Sequence, residues 1–396
     1  MGAGLAETAR SPLAWKVQVE AAGLLSTSEL AAGLATSARW NLKRLAEIKA
    51  KVLAWRVLLE TSRMSLTSSA LIMASNHPPL LNALEASIIS LRLITLNIRY
   101  ATKQPHPGEE PWAVRRPRLC AQLKFLTSGQ DSSFICLQEV LDSQLADVLE
   151  HLNNMGGYKG SWTYIGCGRD DGDKAGEYSP VLYRADRWEC VRSRIYWLSQ
   201  TLDKPSKGWD AACFRIVTVG LFRHRATGGR VVVMSTHLDH RGELAREESA
   251  KLIIDLARAW STMTRDDDGT AKINVPVFLG GDFNSTPTDK AYKMLTDPSS
   301  GMKDISELVS EDGVWYGNRD ITYTSFGEPG ERPGKIDFLF ACEPESFNLK
   351  VLAFGILPNR FDDGVYLSDH RPVVADLALP LETARWQNRP LPLSSL

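Results

Sequence analysis

The sequence predicts an α/β fold in which two β-sheets pack face to face with helices on their outer sides. Short runs rich in β-branched and aromatic residues recur through most of the chain, and stretches with helical periodicity lie between them. Polar residues cluster where the apolar runs end. Such a sequence of elements is typical of layered folds, and strand ends are where functional sites are usually built.

The predicted strands begin at residue 91 and recur up to residue 379. The pair Gly228-Gly229 lies between two of them and predicts a hairpin turn. Helical periodicity covers residues 115–126, 141–155 and 243–262. The predicted strands are 91–100, 131–140, 161–166, 177–184, 190–199, 214–224, 230–239, 275–284, 335–341, 349–357 and 372–379.

The chain divides into three parts by composition. Residues 1–90 contain no Asp, Cys, Phe or Tyr, and residues 37–60 have the apolar spacing of an amphipathic helix. We predict a helical or partly disordered extension there, one domain over residues 91–380, and a C-terminal tail over residues 381–396. The sequence contains no evident internal repeat.

Charge and composition restrict the class of partner. The chain has 396 residues, 43% of them hydrophobic, and a formal net charge of -1. Residues after position 90 are slightly acidic, because the first 90 contain more Lys and Arg than Glu and no Asp. Proteins that bind long nucleic acids through their phosphates usually carry a basic surplus, so the charge favours a small substrate.

The sequence also indicates a location. It has no run of about 20 apolar residues, so we expect no membrane span. Its six Cys form no CxxC pair and are expected to be buried free thiols in a reducing compartment. We therefore predict a cytoplasmic protein. Organelle targeting by the acid-poor N-terminal segment stays open, and the sequence does not determine the oligomeric state.

Two polar residues follow the first two apolar runs of the predicted domain. Asn97 ends LITLNIR, and Glu139 ends FICLQEV. Both runs predict buried strands, so both side chains are expected at one rim of a sheet. A single Glu after a strand is most often an ordinary loop residue, and Glu139 gains significance only from the motifs that follow.

The segment STHLDHRGE places three ionisable residues directly after a strand. They are His237, Asp239 and His240. Histidine is the usual general acid or base near neutral pH. A hydrogen-bonded structural role is the alternative for each histidine taken alone.

Asp282 and Asn284 in GGDFN lie two residues apart, which on an extended strand places them on one side. A carboxylate and an amide oxygen suit a hard cation, a water molecule or a phosphate oxygen. Gly280 and Gly281 allow close approach of another backbone.

Two more acidic residues and a histidine complete the series. Asp337 in KIDFLF lies among apolar residues, so its carboxylate needs a partner. Asp369 and His370 in SDHRP directly precede the last strand. A carboxylate paired with a histidine orients the imidazole and stabilises its charged form.

The order Asn, Glu, His, Asp-x-Asn, Asp and Asp-His, with each residue near a strand end, resembles the endonuclease/exonuclease/phosphatase superfamily with its DNase-I-like fold. GDFN and SDHRP are its most specific motifs, and the resemblance covers residues 91–380. It implies a four-layered α/β sandwich with the site at one rim of two mixed sheets. It also implies a Mg²⁺-dependent hydrolase of phosphate ester bonds, in which Mn²⁺ can substitute.

The resemblance implies a role for each matching residue. The metal side would consist of Asn97, Glu139 and Asp369. Asp282 would align or deprotonate the attacking water, Asn284 would hold a phosphate oxygen, and His370 oriented by Asp337 would stabilise developing charge. The remaining candidates for catalysis are a second histidine, His237, and a glutamate that could pair with it, Glu177.

The substrate must be inferred from other segments. Residues 166–180, 207–215 and the Asp-His pair after His237 resemble a compact group of bacterial and fungal metal-dependent hydrolases. The predicted substrate-binding residues are Arg169, Trp209, Arg215, Asp239 and His240. Arginine suits bidentate phosphate contacts, although the acidic GRDDGD loop could equally be a solvated turn.

An acidic loop beside the site would repel a long polyanion, which favours a small phosphorylated molecule such as a sugar phosphate or a nucleotide. Alternatives are a nuclease of the 3′-5′ exonuclease type, an inositol- or lipid-phosphate phosphoesterase, and a non-catalytic scaffold.

Overall fold

The computed structural model describes residues 88–155, 158–264 and 272–380. Residues 1–87 of the predicted extension and the whole predicted tail lie outside this part of the chain. The first strand begins at Ile88, three residues before the predicted start. Strands and helices are numbered below in chain order within the described residues.

The first β-sheet has seven strands. At its centre β1 (Ile88–Asn97) and β2 (Phe134–Gln138) run parallel, and the first and last strands of the sheet in sequence lie side by side and antiparallel. In spatial order the strands are β14 (Val309–Gly317), β16 (Lys350–Ile356), β17 (Val373–Pro380), β1 (Ile88–Asn97), β2 (Phe134–Gln138), β6 (Val181–Arg184) and β5 (Trp162–Ile165).

The second β-sheet has six strands. Its centre is β12, which runs parallel to β9 and antiparallel to β15. In spatial order the strands are β13 (Met302–Asp304), β15 (Asp337–Cys342), β12 (Val277–Asp282), β9 (Arg230–His237), β8 (Ile216–His224) and β7 (Trp188–Trp197).

The two sheets and four helices form an α/β sandwich of four layers, as predicted. One apolar cluster lies between the sheets, and two others lie between a sheet and its helices. Helices α1 (Trp112–Thr127) and α2 (Asp142–Asn153) cover the first sheet. Helices α3 (Glu243–Ser261) and α4 (Lys290–Thr296) cover the second.

Strand periodicity brings the functional residues to one end of the space between the sheets. In β1, Leu93 packs between the sheets, and Asn97 lies four residues further on the same face. Phe278 and Asp282 have the same relation in β12. The inner face of each strand therefore changes from apolar to polar where the strand reaches this end.

Glycines allow the strands to pack closely at this end, as predicted. A Cβ atom at Gly281 would lie 2.5 Å from the carbonyl oxygen of Thr236 on β9. A Cβ atom at Gly280 would lie 3.1 Å from the Cβ of Cys136 on β2 in the opposite sheet. A side chain at position 281 would therefore push β12 away from the backbone of β9 and displace Asp282.

Several short elements were not predicted. They comprise α4, β13, β14, the pairs β3 (Asn154–Met155) with β4 (Tyr158–Lys159) and β10 (Thr262–Thr264) with β11 (Lys272–Asn274), and the 3-10 helices Pro298–Ser300, Ile305–Leu308 and Pro344–Phe347. Strand β14 lies at a sheet edge and is largely exposed, so its sequence lacks the apolar run that marks a buried strand.

The prediction of free thiols holds for the cysteines, but only three of the six are buried as expected. All six cysteines are free thiols: Cys120, Cys136 and Cys342 are buried, and Cys167, Cys190 and Cys213 are half-buried. Among the described residues, no helix is both long enough and apolar enough to cross a membrane.

Candidate active site

Three candidate site residues lie side by side on neighbouring strands of the second sheet. In the strand register Asp282 of β12 stands opposite His237 of β9 on one side and opposite Asp337 of β15 on the other. All three side chains are at least nine-tenths buried. Three motifs that are far apart in the sequence are adjacent in the structure, because the ends of their neighbouring strands lie at the same edge of the sheet.

Asn97 links the two sheets across the site. Its Nδ2 donates to Glu139 Oε1 and to Asp282 Oδ2, at 3.0 Å each. Its Oδ1 accepts a hydrogen bond from the backbone N–H of Arg99 at 2.9 Å. One buried amide thus fixes the position of two carboxylates that come from different sheets.

Glu139 and Asp369 form the carboxylate pair on the metal side of the predicted site. Glu139 has a φ of 57°, a left-handed conformation that turns the chain sharply after β2. Burial raises the pKa of Glu139, but the hydrogen bond from Asn97 and the charge of Arg99 outweigh burial and lower it. Burial and the nearby charge of Glu139 raise the pKa of Asp369.

These two carboxylates fit a divalent cation. Each raises the energy of the other's ionised form, and a bound cation would remove that repulsion. Hard divalent cations prefer such carboxylate oxygens, with amide oxygens as further ligands. Within the described residues, Glu139 and Asp369, with Asn97 beside Glu139, could hold a metal ion.

An arginine network not identified from the sequence supports this side of the site. Arg115, buried within α1, donates to the carbonyl oxygens of Ile98, Leu367, Arg99 and Glu110 at 2.9, 2.9, 3.1 and 2.9 Å. It therefore joins the loop after β1 to the loop before β17. Arg115 lies beside Arg116 and Arg118 in the sequence of this helix, and arginines in such a cluster are usually solvated, so nothing in the sequence marks Arg115 as buried.

Arg99 completes this network. Its guanidinium pairs with Glu109 at 3.2 Å and lies 3.7 Å from Glu139 Oε2. It also stacks over the ring of Tyr100. Arg99 therefore places a fixed positive charge next to the carboxylates of the metal side.

His370 and Asp337 form a buried hydrogen-bonded pair. His370 Nδ1 lies 2.8 Å from Asp337 Oδ2, and the ring packs against Tyr323. Burial lowers the pKa of His370, but the charges of Asp337 and Asp282 outweigh burial and raise it well above its usual value. The imidazole is therefore held in its protonated form at neutral pH.

Asp282 lies between the two histidines. Its Oδ2 lies 3.7 Å from His370 Nε2 and 3.6 Å from His237 Nε2. Its Oδ1 accepts a hydrogen bond from the backbone N–H of Asn284. Burial and the charge of Asp337 raise the pKa of Asp282 to about 7, so this carboxyl group can exchange a proton near neutral pH.

His237 and Asn284 are joined directly. Asn284 has a φ of 44°, and its Nδ2 donates to the carbonyl oxygen of Leu238 and lies 3.0 Å from His237 Nε2. Both amide hydrogens are therefore used within the protein. The contact with a phosphate oxygen that the resemblance implies requires one of these bonds to be exchanged for it.

The charge state of His237 differs from that of His370. Burial, followed by the charges of Arg215 and Arg169, lowers the pKa of His237 well below its usual value. The ring is therefore neutral at neutral pH. One site thus contains a protonated and a neutral histidine, on opposite sides of Asp282.

Glu177 pairs with an arginine rather than with a histidine. Its carboxylate forms two hydrogen bonds of 2.8 Å with Arg169, and it lies 4.0 Å from His237 Nδ1. Burial and the charge of Glu139 raise the pKa of Glu177 to about 6. The structure thus places Glu177 near His237, but the hydrogen bonds of Glu177 go to Arg169 and not to the histidine.

The structure corrects the role predicted for Asp239. Its buried carboxylate accepts hydrogen bonds from four backbone N–H groups, those of Ala212, Cys213, Arg241 and Gly242, and from Arg215 Nε. These bonds, together with the charge of Arg215, outweigh burial and lower the pKa of Asp239. With five donors already bound, Asp239 organises two loops and has no free face for a substrate.

The other predicted substrate-binding residues lie on the same two loops or close to them. His240 is exposed, and Arg215 is buried and contacts it. Trp209 is half-buried with a φ of 48° and makes no hydrogen bond or ring contact to the other candidate site residues that the structure describes. Asp210, next to it, accepts hydrogen bonds from the first backbone N–H groups of α3.

A second group of metal-type ligands in this region is occupied by protein contacts. Cys213, Asp239 and His240 present ligand atoms within 4.8 Å of one another. The guanidinium of Arg215 lies beside both Asp239 and His240, and the lone pairs of Asp239 are already used. A cation there would be repelled by the arginine.

Comparison with known proteins identifies the family and the fold. Residues 94–370 match the model of the endonuclease/exonuclease/phosphatase family. The endonuclease/exonuclease/phosphatase from Bacteroides vulgatus is 34% identical, with a TM-score of 0.61 over 74% of this chain and 99% of that chain. A mannosyl-6-phosphatase from Bacteroides thetaiotaomicron is 28% identical, with a TM-score of 0.60 over 72% and 99%.

Two curated relatives are more distant. Nocturnin from Xenopus laevis is 24% identical over 63% of this chain and 62% of its own length. The Ccr4 3′-5′-exoribonuclease subunit of the CCR4-Not complex from Mycosarcoma maydis is 21% identical over 65% and 45%. The chain thus matches less than two thirds of the length of either relative.

Proposed function

Because the chain belongs to the endonuclease/exonuclease/phosphatase family, we propose that it is a divalent-metal-dependent phosphoesterase that hydrolyses a small phosphorylated molecule. One observation carries the proposal. A carboxyl group with a pKa of about 7, Asp282, lies between a protonated and a neutral histidine and is joined through Asn97 to Glu139. This arrangement suits the activation of water beside a phosphoryl group.

We propose that Glu139 and Asp369, with Asn97 beside them, hold Mg²⁺, which Mn²⁺ can replace. The ion would supply charge neutralisation at the phosphoryl and leaving oxygens. Arg99 offsets part of the negative charge on the same side. Ionised carboxylates are needed for metal binding, and the lowered pKa of Glu139 meets that need.

The residues of the chain divide the remaining steps between them. Asp282 aligns a water molecule for in-line attack and accepts its proton, which its pKa of about 7 permits near neutral pH. His370, held protonated by Asp337, donates a hydrogen bond to a phosphoryl oxygen and stabilises the charge that develops there. His237 is neutral, so it contributes a hydrogen bond rather than a charge.

Three observations favour a small substrate, such as a sugar phosphate or a nucleotide. The mannosyl-6-phosphatase is matched over 99% of its length. The residues that follow position 90 are slightly acidic. The 166–180 loop is compact, since Asp171 accepts hydrogen bonds from its backbone, and it presents Asp170 and Asp171 to solvent near Arg169.

A nuclease is the second candidate, and the match to the Ccr4 exoribonuclease subunit favours it. Binding of a polyanion would fall steeply with salt concentration. Two further points stay as our proposals. One is the division of the chain into an extension, a domain and a tail, with the first boundary moved from residue 90 to the start of β1 at Ile88. The other is a cytoplasmic location.

The test is a panel of substrates assayed with Mg²⁺ or Mn²⁺. It compares sugar phosphates, nucleotides, inositol phosphates, and single-stranded RNA and DNA, each with Asp282→Ala and His370→Ala variants as controls. We expect metal-dependent release of phosphate from a small ester, with almost none from either variant. Full activity of both variants would contradict the site, and preferential cleavage of RNA or DNA would replace the phosphatase by the nuclease.

A further inference from the structure

Arg215 is a buried arginine with one unused donor. The residue is 4% exposed. Its Nε donates to Asp239 Oδ2 at 3.2 Å, and its Nη2 lies 3.0 Å from His240 Nδ1. Its Nη1 is buried and has no hydrogen-bond partner among the described residues. A buried charged donor without an acceptor is unfavourable. The contacts of Nε and Nη2 nevertheless hold the guanidinium in a position where Nη1 has no partner.

The strand register places Arg215 at the active end of the second sheet. Arg215 directly precedes β8, and Val217 of that strand pairs with Thr236, the neighbour of His237. Its charge acts on both His237 and Glu177, lowering the pKa of the first and opposing the rise in the second. The guanidinium therefore faces the same space as the catalytic residues.

The contact with Arg215 fixes the tautomer of His240. A guanidinium can only donate, so His240 Nδ1 must accept, which requires a neutral ring that carries its proton on Nε2. The side chain is exposed, so the Nε2–H is available to a ligand at the rim. Asp239 holds the arginine and the arginine holds the histidine, so both donors are oriented before a ligand arrives.

We propose that Arg215 and His240 form an anchoring pair that binds the third non-bridging oxygen of a phosphate monoester and thereby selects monoesters over diesters. This inference rests on the proposed phosphoesterase function. A monoester has three non-bridging oxygens and up to two negative charges. In a diester, one of these oxygens is esterified, so it is uncharged, a poor acceptor, and bulky where Arg215 and His240 would meet it.

Steady-state kinetics with p-nitrophenyl phosphate and bis(p-nitrophenyl) phosphate, both with Mg²⁺, tests the pair. The variants are Arg215→Gln and His240→Asn, with His151→Gln on α2 as the matched control. For Arg215→Gln we expect kcat/KM on the monoester to fall by about 10- to 100-fold, since a charged hydrogen bond is lost. On the diester we expect a loss of less than about threefold, and the control should match the wild type on both.

Equal losses on the two substrates, or no loss on either, would overturn the inference while leaving the phosphoesterase function intact. Arg215→Gln also breaks a buried ion pair, so its melting temperature is measured alongside. His240 is exposed, so His240→Asn should fold normally and must still lower the monoester-to-diester ratio. If it leaves the ratio unchanged, His240 is not part of the pair.

Two further measurements separate this inference from the proposed function. If the wild type hydrolyses neither substrate, the proposed function fails for them, and calorimetric binding of orthophosphate with Mg²⁺ present then decides the inference. Weaker binding by Arg215→Gln supports the pair, and equal binding overturns it. Nitrogen NMR of the wild type should show His240 protonated on Nε2 near neutral pH, and protonation on Nδ1 would contradict the pair.

Discussion

The substitution Asp282→Asn should stabilise the metal-free protein while abolishing hydrolysis. Asp282 is 2% exposed, and burial together with the charge of Asp337 raises its pKa from the ordinary value to about 7. The fold therefore binds a proton at this position more tightly than the unfolded chain does. Asparagine keeps the size of the side chain and removes the ionisable group.

The magnitude follows from the two pKa values. The pKa of Asp282 is 3.8 in the unfolded chain and about 7 in the folded protein. The stabilisation from the tighter proton binding is fully present below pH 3.8 and is lost as the pH rises through 7. Between pH 5 and pH 8 the loss is about 2 to 3 kcal/mol. Between pH 5 and pH 8 the melting temperature of the wild type should therefore fall by about 5 to 10 °C relative to that of Asp282→Asn.

The assay is thermal unfolding of both proteins at pH 5, 6, 7 and 8 with EDTA present, because a bound cation would lower the pKa of Asp282. An exposed aspartate on β14 provides the control substitution, Asp312→Asn. The melting temperature of Asp312→Asn should change with pH in the same way as that of the wild type from pH 5 to pH 8. Hydrolysis by Asp282→Asn, assayed with Mg²⁺, should be at background.

The expected signature is a difference in melting temperature that grows with pH. A difference that stays constant from pH 5 to pH 8 would refute the reasoning, since it would mean that Asp282 titrates alike in the folded and unfolded chains. A variant that is less stable at pH 8 would show that the hydrogen bonds from Asn97 and Asn284 outweigh the cost of the buried charge.

Two further predictions concern the charged partners in the site. Glu139→Gln should weaken Mg²⁺ binding by at least about 10-fold, because one of two ionised ligands becomes neutral; calorimetric titration measures this, and unchanged affinity would place the metal elsewhere. Asp337→Asn removes the largest charge that raises the pKa of His370, so the imidazole should lose its proton at a lower pH than in the wild type. Its kcat/KM should fall by about 100-fold or more, and by more at pH 8 than at pH 6, whereas an equal loss at both values would contradict the assigned charge state.

The chemistry of the candidate site could be predicted because strand periodicity is local. Asn97, Asp282 and Asp337 each occupy an inward-facing position at the end of an apolar strand. Side chains alternate between the two faces of a strand, so the sequence predicts that these three are buried at one rim. The packed layers follow from the same alternation. Exposed β14 and the seven-residue α4 carry too little periodicity to be recognised.

The support of the site could not be predicted, since it depends on contacts between distant segments. Arg115 contacts Leu367, which is 252 residues away, and sequence periodicity carries no information about such a pair. Asp239 was predicted to bind substrate because the Asp-His pair after His237 resembles a group of metal-dependent hydrolases. Four of its actual partners are backbone N–H groups. Almost every residue has such a group, so the sequence does not indicate which of them Asp239 binds.

The pairing of β1 with β17 has a consequence for the synthesis of this protein. The strand that carries Asn97 is made early, but one of its two neighbours is the last strand of the sheet. On the ribosome β1 therefore has an open edge until residues 373–380 have emerged, and the nascent chain cannot assemble its catalytic centre before then. A stalled or truncated product lacking these residues would expose that edge to other chains, so intact synthesis of β17 should protect against aggregation as well as completing the candidate site.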